Sequence, residues 1–90
     1  MKDKVIIGSI VMAIAGREKQ QLFIVTKMEN KLVCLVDGKK RKLENAKRKN
    51  ISHIHLLKSD NTFKEKIKNN TITNGEIIKI LKDYKITKSV

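Results

Sequence analysis

Seven cations fall within eleven residues, Lys39, Lys40, Arg41 and Lys42 followed by Lys47, Arg48 and Lys49, with Glu44 as the one acid among them. A charge run is more often a solvated face than a site. This one is short, lies between apolar segments rather than on a tail, and would repel itself unless an anion sat nearby. The chemistry such a run does best is neutralising the phosphates of a nucleic-acid backbone. His53 follows closely, placed to donate a hydrogen bond to a phosphate.

Other reactive side chains are sparse. His53-x-His55 would put two imidazoles on one face of an extended segment, a spacing that can ligate metal, but two ligands do not complete a site. Cys34 stands alone, with no CxxC pair, so neither a disulfide scaffold nor a cysteine zinc site is available. Flanked by Val33 and Leu35, it reads as a buried, inert thiol rather than a nucleophile. Paired catalytic carboxylates and a phosphate-cradling glycine loop are both missing. The expectation is a protein that is not an enzyme and uses neither cofactor nor metal.

Ninety residues make one domain, with 21 Lys and Arg against 9 acids and a formal net charge of +12. A hydrophobic content of 40% without proline argues against a disordered basic tail. The excess charge is concentrated: residues 37–58 carry 8 basic and 2 acidic side chains, half the total in a quarter of the chain. Of the three aromatics, Phe23, Phe63 and Tyr84, Phe23 lies in the densest apolar run. No platform for stacking unpaired bases is evident, so recognition should be of nucleic-acid shape and backbone.

The elements that must position these cations read as short strands. Residues 7–15, 22–26 and 32–36 are apolar runs rich in β-branched residues and bounded by turn chemistry. The uncharged stretch Val5 to Gly16, preceded by Lys2 and Lys4, also resembles the apolar core of an export signal, with Ala13-Ile14-Ala15 as its small-residue end, but Asp3 is out of place there. It is too short for a membrane span. Read as a strand, it leaves the chain cytoplasmic. Asp37-Gly38 predicts a two-residue hairpin, returning through residues 40–43, with a last strand over 51–57. Five short strands point to a mainly β fold, a small closed barrel without exposed edges.

Residues 22–25 and 32–36 are apolar on both faces, so something must cover the outside. Thr73-x-x-Glu76 is a capping box, followed by Ile77, Leu81 and Tyr84 at helical spacing. The resulting division is a barrel over 1–57, a polar linker over 58–72 with Phe63 and Ile67 as anchors, and a docked C-terminal helix over 73–86.

Gly8-Ser-Ile-Val11, then Ala15-Gly16-Arg17-Glu18, then Phe23-Ile24-Val25 resembles a KOW motif. Downstream, Leu35-Val36-Asp37-Gly38 with its basic run, Lys47-Arg48-Lys49-Asn50, His53 and Leu56-Leu57 is similar to the family of archaeal and eukaryotic large-subunit ribosomal protein fourteen. The likeness spans residues 7–57. It implies an SH3-like barrel that binds large-subunit ribosomal RNA beside ribosomal proteins, with the Gly16 loop and the basic turns facing RNA. Carried over, the loop contributes Gly16, Arg17 and Lys19 to the site. The chain departs from the motif where a second loop glycine is common and Gln20 and Gln21 stand instead. The alternative is a protein-interaction adaptor acting through the barrel and helix. Composition leaves RNA and DNA both open, and oligomeric state unread.

Overall fold

The computed structural model describes residues 5–59 and 63–89. Lys2, Asp3 and Lys4, ahead of the first apolar run, lie outside the described residues, as do residues 60–62 of the linker stretch. Five strands form one antiparallel sheet: β1 (Ile10–Ala13), β2 (Leu22–Glu29), β3 (Leu32–Val36), β4 (Lys47–Asn50) and β5 (Ile54–Lys58). Two helices follow, α1 (Lys64–Lys68) and α2 (Asn74–Ser89). The strand order is β4-β3-β2-β1-β5, a four-strand meander whose fifth strand returns to pair with the first. A single 3-10 turn, Ile51–His53, carries the chain from β4 to β5. The fold is mainly β, a small barrel-like arrangement of five antiparallel strands with a C-terminal helix.

The alternating pleat of the central strands separates two apolar clusters. On one face Phe23 and Val25 of β2 join Val11, Ala13, Val33, Leu35 and Ile54. On the other, Ile24 joins Ile10 and Val36, and these are covered by Ile67 of α1, Ile72, and Ile77 and Leu81 of α2. The cover expected for the two-faced strands is therefore present, with Ile77 fully buried and Leu81 6% exposed. The capping box forms as well: the Thr73 Oγ1 accepts from the Glu76 amide at 3.1 Å, and the Glu76 Oε1 accepts from the Thr73 amide at 3.1 Å. Phe63 and Ile67 both pack on this cluster, so the polar stretch after β5 is anchored through a short helix.

Several expected boundaries shift, each for a local reason. The first strand begins at Ile10 rather than residue 7, because Gly8 takes a φ of +95° in a turn closed by the Ser9 amide donating to the Ile6 carbonyl. The tight two-residue hairpin lies at Asn30-Lys31, between β2 and β3, where Glu29 pairs with Leu32 and Asn30 has a φ of +56°. Asp37-Gly38 does not form one. The Asp37 Oδ1 accepts from the amides of Lys39 and Arg41, both at 2.9 Å, curling the chain into a compact loop instead of a returning strand over 40–43. The partner of β3 is β4, with Leu35 opposite Lys47. Residues 51–53 form the 3-10 turn, so the last strand starts at Ile54.

The sheet also stays open as a hydrogen-bonded ring, since among the described residues β4 and β5 remain its edges. Lys47, Arg48 and Lys49 on β4 discourage another strand from adding there.

Gly38 explains how α2 can sit so close. It is buried at a φ of +82°, and a Cβ there would lie 2.5 Å from the Asn74 carbonyl oxygen and 2.8 Å from Ile78 Cγ1. Asn74 reaches the other way: its Oδ1 accepts from the Leu43 amide at 2.8 Å and its Nδ2 donates to Glu44 at 3.1 Å. That bond holds the Glu44 carboxyl below its ordinary pKa.

Gly38→Ala should destabilise the protein by about 1–3 kcal/mol, through left-handed strain and the collision with α2. Leu81→Asp should do more, at least about 3 kcal/mol, by removing a buried side chain and placing a carboxylate in its space. Thermal denaturation of both variants measures the losses, and an unchanged melting temperature for Leu81→Asp would mean that the helix does not hold the fold.

Candidate nucleic-acid interface

The loop between β1 and β2 is short and tightly made. Gly16 takes a φ of +81°, and the Lys19 and Gln21 amides donate to the carbonyls of Gly16 and Glu18. Gln20 has a φ of +74°, the left-handed backbone that a glycine adopts freely, and its amide donates to the Ala13 carbonyl at 2.7 Å. The missing second loop glycine is thus replaced in conformation by a side chain held at some strain.

This loop is fastened to β4 by one ion pair. The Lys49 Nζ lies 3.0 Å from the Glu18 Oε1, with the two side chains only 10% and 17% exposed. Lys49 also lies over Gly16, where a Cβ would be 3.1 Å from its Nζ. Of the residues expected to contact phosphate, Lys49 is therefore engaged within the protein, and its hydrogen bond lowers the Glu18 pKa against the opposing effect of partial burial.

The loop meets the curled segment after β3 across a cleft of about 300 Å³, lined by Arg17, Glu18, Gln21, Phe23, Asp37, Lys40 and Arg41. Three cations from two separate loops converge here. Of its two acids, Glu18 is paired with Lys49, and Asp37 turns its Oδ1 to two backbone amides. Among the described residues, no acid pairs with Arg17, Lys40 or Arg41. Phe23 at the cleft floor is fully buried and offers no ring for base stacking.

A second cleft, of about 630 Å³, adjoins the first and shares Gln21, Asp37 and Lys40 with it. Lys39 lines it from the loop and Lys82 and Lys85 from α2. Sequence reading left these helix lysines out of the site. Their spacing of three marks a common helical face, but only the docking of α2 shows which groove that face borders.

Lys19, Lys42, Lys47, Arg48 and His53 line neither cleft. The second basic cluster is edge strand β4 rather than a turn. His53 ends the 3-10 turn and His55 lies on β5, so the pair does not share the extended segment its spacing suggested. Among the described residues no three His, Cys, Asp or Glu side chains group as a metal site. Gly38, expected to give RNA close access to backbone, instead gives α2 that access. No helix among the described residues is long and apolar enough to cross a membrane. Compared with protein-family models and with curated proteins, the chain matches none.

The Glu18–Lys49 pair carries a pH signature. A carboxyl whose folded pKa is depressed stabilises the protein above its unfolded value, and that contribution is lost as pH falls through the folded one. Titration of Glu18 by NMR should give a midpoint below the reference 4.5, and Lys49→Met should raise it. A wild-type midpoint at or above the reference would show that the pair does not hold the loop in solution.

Proposed function

We propose that this protein is a non-enzymatic RNA-binding protein, associated with the ribosome, that grips the backbone of structured RNA through its basic loops. The convergence of Arg17, Lys40 and Arg41 on one cleft, with the neighbouring acids engaged elsewhere, carries this reading. Cations gathered around a concavity act together on a bound anion, whereas scattered ones are screened beyond about 8 Å at physiological salt. Phosphate contacts of this kind fix position without reading sequence. The absence of an accessible ring at the cleft favours backbone over base recognition, since Phe23 is buried. The resemblance of residues 7–57 to KOW-motif proteins supports the same class of partner and suggests ribosomal RNA of the large subunit.

Binding of a labelled RNA hairpin, followed by fluorescence anisotropy over a salt series, tests the proposal. With about 5–8 phosphates contacted, log affinity should fall with log salt at a slope of roughly −0.7 to −0.9 per phosphate. Replacing Arg17, Lys40 and Arg41 together by Gln should flatten that slope by about 2–3, with the fold intact by circular dichroism. A salt-independent response, or a triple variant indistinguishable from wild type, would refute the assignment. Sedimentation of native lysate at low and high salt then tests ribosome association: co-migration with the large subunit that a high-salt wash removes is expected, and recovery only at the top of the gradient would exclude it.

A further inference from the structure

Resting on the RNA-binding reading, we infer that helix α2 is the second wall of the same site, and that one continuous run of RNA backbone passes from the loop cleft across Lys40 onto Lys82. The two clefts are joined: Gln21, Asp37 and Lys40 border both, with Arg17 and Arg41 at one end and Lys82 at the other. Asp37, the acid at the junction, turns its Oδ1 to the amides of Lys39 and Arg41 at 2.9 Å, so its charge is partly satisfied within the loop. Clefts of about 300 and 630 Å³ laid end to end suit an extended polyanion rather than one isolated phosphate.

The chemistry along the path changes in a way that fits a sugar-phosphate strand. Cations stand at both ends and at the middle. Between them Gln20 and Gln21 present amides, each both donor and acceptor, suited to ribose hydroxyls. Gln20 is held there in a left-handed backbone, and such strain is often found where a side chain serves a ligand. Ile78 and Leu81 on the helix side close the floor with apolar surface.

Helix α2 supplies its own control. Lys79, three residues before Lys82, borders a different groove on the side of β5 and α1, together with Glu76 and Asp83. Lys79→Gln and Lys82→Gln therefore remove the same charge from exposed positions of one helix, the first bordering the other groove and the second on the inferred path.

The test is anisotropy titration of a fluorescein-labelled RNA hairpin over a salt series, with wild type and both variants, after thermal denaturation has shown equal stability. Lys82→Gln should weaken binding roughly three- to tenfold and reduce the slope of log affinity against log salt by about 0.7–0.9. Lys79→Gln should leave the slope unchanged. Steep salt dependence in wild type with equal effects of the two variants would overturn the helix path while leaving the RNA-binding reading in place. A wild-type protein that fails to bind the hairpin would remove both. Equal affinity of wild type for the matched DNA hairpin would overturn the assignment of the strand as RNA.

Discussion

Two central strands that are apolar on both faces cannot exist as a single sheet in water, and the rest of the molecule answers that constraint. Curling of the sheet encloses Phe23, Val25, Val33 and Leu35 on one side. The other side needs a cover, and Ile67, Ile72, Ile77 and Leu81 provide it. Burial of four such side chains contributes on the order of 6–12 kcal/mol before entropy is counted, comparable to the entire net stability of a small domain. Five residues are too few for α1 to persist alone, and α2 draws most of its stability from packing its apolar face. The C-terminal segment is thus as much part of the core as β2. Its close approach, permitted by Gly38 and fixed by Asn74, also decides which lysines border the loops.

How much of this could be read from residues follows from where the physics is local. Runs such as Leu22-Phe23-Ile24-Val25, and a capping box followed by Ile77 and Leu81, announce their elements because burial and capping act within a few residues. Strand β4 announces nothing: Lys47-Arg48-Lys49-Asn50 has no apolar residue, since an edge strand can be held by its ladder alone. Asp37-Gly38 misled because two local preferences compete there. The positive φ of Gly38 suits a hairpin, but the Asp37 carboxylate captures two following amides and closes a different loop. The contact that makes Gly38 necessary comes from Asn74, thirty-six positions away, and no window of sequence contains it.

The candidate site divides along the same line. Lys40 and Arg41 are visible as a charge run, and Arg17 through its likeness to a loop motif. That these three meet, while Lys42 and Arg48 point elsewhere than the clefts, depends on the geometry of two loops set by separate turns. The helix lysines belong to a segment with no basic cluster of its own, and only the docking of α2 brings Lys82 to the groove.

The placement of the acids completes the electrostatic argument. With a net charge of +12, any carboxylate near the groove would weaken its field, yet four acids are needed at joints of the fold. Glu18 fastens the first loop to β4, Asp37 closes the second, Glu44 receives Asn74, and Glu76 caps α2 while bonding Lys66. Lys66 and the cap hold the Glu76 carboxyl below its ordinary pKa, just as Lys49 does for Glu18. Each acid is thus engaged by a donor within the protein, and Arg17, Lys40 and Lys82 are left to face solvent. The joints that order the loops also set where Arg17 and Lys40 emerge, before any ligand arrives. An anion entering the groove then meets cations already gathered by the fold, and avoids part of the ordering entropy that a flexible basic tail would lose on binding.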